Sequence, residues 1–445
     1  MTDTVKAGGP EAPFGLRLYR LATELAGPFA PTILKRRLKI GKEDEARLAE
    51  RMGVAGLPRP EGALAWIHGA SVGESLSVLP VVERLRAMRP DMRFLVTTGT
   101  VTSAQLMKER LPEGAFHQFA PLDRPRYVEA FLDHWRPDAA FFIESEFWPN
   151  LLLGTKARGT PAALINGRIS PKSFEKWRKR PRSAEKLLSA FSVIVAQDGK
   201  NAERLRELGG RDVMSFGNLK LAAPPLPVDQ EMLDGLREMT GDRPLWLAAS
   251  SHPGEEEVIA LAHLRMRRER PDLLTIIVPR HPNRGAEVAE ILSGHGIASA
   301  RRSLGESIEP NIQAYIGDTL GELGLFYRLC DIVLVGGSIV AKGGHNPLEP
   351  ARLHAAILHG PFIYNFVETY AELRSAGGAA LVRNELDLDA SMRRLFADDK
   401  TRTTMAAAAM KSAEARADLV LNDVIAALEP VLPARRATET DHATA

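Results

Sequence analysis

The 445-residue chain contains one cysteine, Cys330. Intrachain disulfides and cysteine-rich metal sites are therefore excluded, which fits a reducing compartment. Charge of one sign is not in excess either. The formal net charge is +2, so no global field points to nucleic acid as a partner. Long apolar runs are missing from the segment that comes nearest to having one. Its longest uncharged stretch, Leu25 to Leu34, falls far short of the ~20 residues that span a bilayer, and Pro28 and Pro31 interrupt it. The opening MTDTVKAGGPEAP lacks an apolar h-region, so no secretory signal is expected. What remains is an ordinary globular composition, 44% hydrophobic and 26% charged, in a chain long enough for roughly two or three domains.

Strand and helix signals alternate. Apolar runs at Ala63–His68, Arg93–Thr97, Phe116–Phe119, Asp138–Ile143, Ala162–Ile165, Ser192–Ala196 and Val213–Phe216 predict buried strands. Helical stretches fall between them, from Ser75 to Met88 and from Arg124 to Trp135 among others. This alternation predicts a parallel sheet covered on both faces. Gly217–Val228 carries three prolines and little periodicity and reads as a linker. The pattern then restarts with strands at Leu245–Ala249, Leu273–Val278, Ile312–Ile316, Asp331–Val335 and Ala355–His359. Both halves open as strand, Ala-Ser, Gly-Glu, helix: Ala70 to Glu74 in the first, Ala249 to Glu255 in the second. The expected organisation is residues 1–45 as a membrane-associating segment, 46–217 and 230–432 as two doubly wound domains, 218–229 as the linker and 433–445 as a disordered tail. Two such domains are expected to bind ligands where the carboxyl ends of their strands face a central cleft.

Phe14 to Ile40 is apolar and aromatic, broken by Arg17, Arg20 and Glu24, and closed by Lys35, Arg36, Arg37 and Lys39. This suits the surface of an anionic membrane, with Phe14, Leu16, Leu18, Tyr19, Leu21 and Leu25 entering the interface. An N-terminal helix packed on the body of the protein is the competing reading.

Candidate ligand loops follow the strands. The stretch Gly317 to Ala351 holds Gly317-Asp318-Thr319, the turn Gly336-Gly337-Ser338, and Gly343-Gly344 ahead of His345-Asn346-Pro347-Leu348-Glu349. Glycine lets backbone approach a ligand closely, and free N–H groups at a helix start attract phosphate. Glu349 is placed to meet a ribose diol, and the alternative is a capping box with Asn346. Ser250, Arg280, His281 and Arg284 lie at strand ends of the second half and suit a phosphate or a carboxylate; an ordinary surface turn is the alternative. In the first half Glu74 opens a helix after a glycine turn, where matching the helix dipole is its bland role. Glu144 and Glu146 follow an apolar strand, close enough for like charge to raise one pKa. Arg168 and Lys220 are candidates for anionic groups. Lys172–Lys186 is strongly basic, with one Phe and one Trp, and suits either the phosphates of an acceptor or a solvated loop.

HGASVGES at His68–Ser75, ESEFWPN at Glu144–Asn150, NGRIS at Asn166–Ser170 and GNLK at Gly217–Lys220 resemble the Kdo transferase family of lipopolysaccharide inner-core synthesis. PRHPNR at Pro279–Arg284, GDTLGELGLFY at Gly317–Tyr327 and GGSIVAKGGHNPLEPA at Gly336–Ala351 continue the match in family order. The resemblance implies a GT-B fold, a CMP-Kdo donor, a lipid A precursor as acceptor, inversion at the sugar, and residence at the cytoplasmic face of the inner membrane. It also implies Glu74 as the catalytic base. Glu144, Glu146 and Arg168 are then assigned to the acceptor. Lys220, Ser250, Arg280, His281, Arg284, Gly317, Asp318, Thr319, Gly336, Gly337, Ser338, Gly344, His345, Asn346 and Glu349 are assigned to the donor. No metal or cofactor is expected: Asp387-Leu388-Asp389 lies outside the nucleotide loops and reads as a helix start. The competing functions are a GT-B enzyme using a UDP-sugar and a non-catalytic, membrane-bound nucleotide sensor.

Overall fold

The apolar runs of the first half form seven parallel strands. These are β1 (Ala63–His68), β2 (Met92–Thr98), β3 (Ala115–Phe119), β4 (Ala139–Ile143), β5 (Ala162–Gly167), β6 (Val193–Ala196) and β7 (Val213–Ser215). The structure, a computed structural model, describes residues 12–435 except Ala70, Pro224 and Pro227. The sheet order is β3-β2-β1-β4-β5-β6-β7. Successive side chains of β1 point to opposite faces, so Leu64 and Trp66 enter one apolar cluster while Ala65 and Ile67 enter the other. Burial on both faces explains why these strands read as continuous apolar runs.

The second half repeats the plan with β8 (Leu245–Ser251), β9 (Leu274–Pro279), β10 (Ser299–Arg301), β11 (Ala314–Ile316), β12 (Ile332–Val335), β13 (Ala356–His359) and β14 (Ala379–Leu381). All pair in parallel, in the order β10-β11-β9-β8-β12-β13-β14. In each sheet the strand order reverses beside the first strand, at β1/β4 and at β8/β12. Loops leaving the carboxyl ends of strands at such a switch point are where doubly wound sheets bind ligands. A side-chain clamp repeats as well. Trp66 Nε1 donates to Thr97 Oγ1 at 2.9 Å, and Trp246 Nε1 donates to Thr275 Oγ1 at 2.7 Å. A histidine Nδ1 meets each hydroxyl, His68 at 3.0 Å and His263 at 2.7 Å.

The chain divides into two units, residues 1–224 with 417–445, and 225–416. This differs at the C-terminus from the expected second domain of 230–432. The last helix, Asp399–Leu428, begins in the second unit and ends in the first. Its Val420, Leu421, Val424, Ile425 and Leu428 form a stripe of helical period that packs with Val78, Leu79, Val82 and Leu85. Of the expected tail, Pro433 and Ala434 accept from the Arg89 guanidinium, and residues 436–445 lie outside the described residues. Between the units the expected linker starts with a 3-10 turn, Leu219–Ala222, whose Leu219 is buried.

The N-terminal segment is helical: α1 (Phe14–Ala26) and α2 (Ala30–Lys39), joined through Gly27–Phe29. One face of α1 is tied to the first unit. Tyr19 donates to Asp123 at 2.9 Å, Asn150 donates to Thr23 at 3.0 Å, and Arg124 pairs with Glu24 at 2.9 Å. Leu16 is buried. Leu16 and Tyr19 are thus corrected from interface candidates to docking contacts, because the helical period turns them to the protein side. Phe14, Leu18, Leu21 and Leu25 face the other way, each more than half exposed, and Phe29 and Ile33 continue their stripe. No described helix is long and apolar enough to cross a membrane.

Candidate functional site

At the first switch point β1 ends in His68, and the helix α3 (Val72–Met88) starts four residues further on. Ser71 is its N-cap and accepts from the Glu74 N–H at 3.3 Å. The Ser71 hydroxyl in turn donates to Glu74 Oε1 at 2.9 Å, so the carboxylate is oriented by the cap of its own helix. Glu74 is partly exposed, which leaves its carboxylate within reach of a ligand.

The loop after β4 is held in an uncommon conformation. Glu144 has φ +56°, in the left-handed region that costs a non-glycine residue about 1–3 kcal/mol. Three contacts hold it there. Its N–H donates to Ile165 at 2.9 Å, its carbonyl accepts from Arg168 at 3.2 Å, and its buried carboxylate meets Lys220 Nζ at 2.5 Å. Asn166, also left-handed, fixes the chain after β7 by accepting from the Leu219 N–H at 3.0 Å. Glu146 takes the other direction. Trp148 Nε1 donates to its Oε2 at 2.5 Å, and His68 Nε2 lies 3.5 Å from the same oxygen. Burial pushes the Glu146 carboxyl up, but His68 and the Trp148 N–H outweigh it and hold the group below its ordinary value. The expected raised carboxyl is corrected accordingly: Glu144 is matched by Lys220 and Glu146 by His68, so the two do not confront each other as bare like charges.

The second switch point is built around a buried acid. Glu255 opens the helix Glu255–Met266 and is fully buried. Its Oε2 accepts from His252 N–H at 3.0 Å and Gly337 N–H at 2.7 Å. Its Oε1 accepts from Ser338 N–H at 3.0 Å and Ile339 N–H at 2.9 Å. The turn Gly336-Gly337-Ser338 was expected to cradle phosphate. Its N–H groups at Gly337 and Ser338 are instead satisfied internally, by a carboxylate in the place a phosphate would take. The Ser338 hydroxyl is spent on Val335 and Gly360. Gly336 is required because a Cβ there would lie 2.4 Å from the Ser250 carbonyl, and Ser250 itself is left-handed at φ +59°.

Four groups stand beside this loop: Arg280 and His281 after β9, and His252 after β8 with His345 after the second glycine pair, whose Nε2 atoms meet at 2.9 Å. Arg280 is exposed and makes no ion pair among the described residues. Ahead of the short helix Leu348–Ala351, Asn346 Oδ1 accepts from the Leu348 N–H at 3.1 Å, and its amide reaches Glu349 Oε1 at 3.4 Å. Burial pushes the Glu349 carboxyl up, against the Asn346 bond and the charge of Arg280. Four residues of helix give little dipole, which weakens the expected attraction of a phosphate to this helix start.

The family described as 3-Deoxy-D-manno-octulosonic-acid transferase (kdotransferase) matches residues 46–223. A 3-deoxy-D-manno-octulosonic acid transferase of Rickettsia bellii is 36% identical over 346 residues, 78% of this chain and 82% of that protein. One of Haemophilus influenzae is 36% identical over 350 residues, covering 77% and 81%. The chain belongs to the 3-deoxy-D-manno-octulosonic acid (Kdo) transferase family. Among solved structures, a glycosyltransferase of Rickettsia africae shares the fold with TM-score 0.55 at 14% identity, over 84% of this chain and 99% of that one. The two doubly wound units are those of a GT-B glycosyltransferase.

Within this Kdo transferase the candidate residues separate into two groups. Glu74, Glu144 and Glu146 stand after the strands of the first switch point, and Arg168 follows the neighbouring β5 with its side chain exposed. Lys220, assigned to the donor, pairs with Glu144. Ser250, Arg280, His281, Gly344, His345, Asn346 and Glu349 gather around the second switch point. Arg284 leaves the donor set: its guanidinium is held by buried Glu256 at 2.7 Å and by Glu287 at 2.8 Å. Asp318 leaves it too, gripped by Arg301 at 2.8 Å and by the Ser303 N–H and hydroxyl. Gly317 serves packing, since a Cβ there would strike the Phe326 ring at 2.6 Å. Thr319 donates to Glu322, which pairs with Arg302 at 2.6 Å. Asp387 and Asp389 lie in the first turns of the helix Glu385–Ala397, bonded to Arg383 and Arg393. Sequence reasoning missed His252 and Glu255. The Gly-Glu echo flagged that turn, but nothing local showed that Glu255 reaches Gly337, 82 residues away.

Proposed function

We propose that this Kdo transferase moves Kdo, with inversion, from CMP-Kdo to the lipid A precursor, and that it does so without a metal ion at the face of an anionic inner membrane. The observation that carries the reading is Glu74. In a chain 36% identical to Kdo transferases over most of its length, this carboxylate stands at the third position of the helix that leaves the first switch point. Its Oε1 is oriented by Ser71. In the proposed step Glu74 takes the proton of the acceptor hydroxyl as that oxygen bonds to the anomeric carbon. The bond from that carbon to the CMP phosphate oxygen breaks, and CMP leaves with the electron pair. Charge growing on the departing phosphate meets Arg280 and the imidazoles of His281, His252 and His345, which stabilise it as positioned cations and hydrogen-bond donors do. Glu349 faces the ribose. Glu144, Glu146 and Arg168 hold the acceptor sugar.

The membrane part of the reading rests on α1 and α2. Phe14, Leu18, Leu21, Leu25, Phe29 and Ile33 form an exposed apolar stripe, and Lys35, Arg36 and Lys39 follow it. The helices are anchored to the unit that bears Glu74, so a bilayer under the stripe presents its lipids to that unit. Titration with CMP and with UDP tests the donor: CMP is expected to bind at least tenfold more tightly. Preference for UDP would transfer the reading to a GT-B enzyme of another donor.

A further inference from the structure

His252 and His345 come from loops 93 residues apart and meet ring to ring, with Nε2 to Nε2 at 2.9 Å and the planes within 6° of parallel. Two imidazole nitrogens at that distance need one hydrogen between them: one ring donates, the other offers its lone pair. With both nitrogens protonated, two N–H groups would point at each other. The backbone prevents the rings from drifting apart. The His252 N–H is held by Glu255, the His345 N–H donates to Gly336 at 3.2 Å, and the His345 carbonyl accepts from Tyr370 at 2.9 Å. Gly337 forms the floor, where a Cβ would come within 3.2 Å of both rings.

The surroundings are cationic. Lys342, His281 and Arg280 face His252, and the acid that faces it, Glu256, is already spent on Arg284 and Ser251. Arg280 and His281 also face His345. Burial and these cations hold both imidazoles below the ordinary histidine range, His345 at about 4. The phosphate of CMP, a monoester bringing about 1.5–2 negative charges at neutral pH, opposes that balance.

We propose that a single Nε2–H links His252 and His345 in the free protein, and that the phosphate of a bound nucleotide draws one further proton onto the outer Nδ1 of the donating ring, which keeps the Nε2–H···Nε2 bond and couples nucleotide binding to proton uptake. This deepens the donor reading above and rests on it. The sign follows from linkage. The pair binds protons more tightly with nucleotide present, so affinity is highest at low pH. It falls as pH rises through the pKa of the bound pair, by at most about tenfold per unit for one proton.

Calorimetric titration of the full chain with CMP at pH 7, in two buffers of different ionisation heat, counts the protons taken up. Wild type is expected to take up more than His252→Gln, and His134→Gln, in the first unit and outside the donor loops, is expected to keep the wild-type count. CMP's own titration is common to all three proteins and cancels in the differences. Equal counts for wild type and His252→Gln, with CMP bound by both, would overturn the proposal. If His252→Gln binds no CMP, histidine nitrogen spectra of the wild type decide. The titration of the pair must move to higher pH on adding CMP, and an unmoved titration is the contrary result. Failure of wild type to bind CMP in any of these conditions would instead overturn the donor reading, and the coupling with it.

Discussion

Replacing Glu255 with glutamine changes one atom and almost no volume, yet the structure assigns it a large effect. Each carboxylate oxygen accepts two backbone N–H groups: Oε1 those of Ser338 and Ile339, Oε2 those of His252 and Gly337. Whichever oxygen becomes an amide NH2, two N–H groups lose their acceptor and face a donor. A stranded buried donor costs about 1–3 kcal/mol, so two cost about 2–6 kcal/mol. The loss is local to the loops that carry His252 and the Gly336–Ile339 turn. Amide hydrogen exchange reads it directly, because exchange follows the free energy of local opening. Even the lower figure of about 2 kcal/mol corresponds to roughly thirtyfold faster exchange at Gly337, Ser338 and Ile339. CMP affinity is expected to fall with it, since His252 and His345 stand on this frame. Exchange within threefold of wild type at those amides, with CMP affinity unchanged, would refute the claim that Glu255 holds the donor loop.

Chelation leaves transfer untouched if side-chain cations alone meet the leaving phosphate; activity lost in excess EDTA and restored by magnesium would reject that account. Binding to anionic liposomes is expected to weaken with salt, because basic residues near such a surface contribute about 1 kcal/mol each. Leu18→Asp with Leu25→Asp, both exposed, should lower liposome binding and activity on a lipid acceptor with the melting temperature unchanged. Co-sedimentation equal to wild type would return the stripe to an ordinary surface.

Much of the fold was legible because strands buried on both faces are written as continuous apolar runs. Ala63–His68 and Ala162–Gly167 are of that kind. Ser299–Arg301 and Ala379–Leu381 were missed: each is a three-residue edge strand, too short to show a pattern. The C-terminal return went unread because the stripe from Val420 to Leu428 shows a helix face but not that its partners, Val78 to Leu85, lie in the first unit. At the site, the positions of loops were readable and the duties of side chains were not. Gly336-Gly337-Ser338 looks like an anion cradle and is one, but its anion is Glu255. Asp318 and Arg284 look free in sequence because their partners come from elsewhere in the chain, Arg301 from the end of β10 and Glu256 from the helix Glu255–Met266. The left-handed Glu144 gives no sequence signal, since its strain is sustained by contacts with Ile165, Arg168 and Lys220.

The central claim is that Glu74 is the base of Kdo transfer. Its most direct test is mass spectrometry of the lipid product formed from CMP-Kdo and lipid A precursor by wild type and by Glu74→Gln. General base catalysis contributes about 10²–10⁴-fold, so the account predicts Kdo-bearing lipid from wild type and at least about a hundredfold less from the variant, with CMP affinity retained. Product from Glu74→Gln within tenfold of wild type would contradict it.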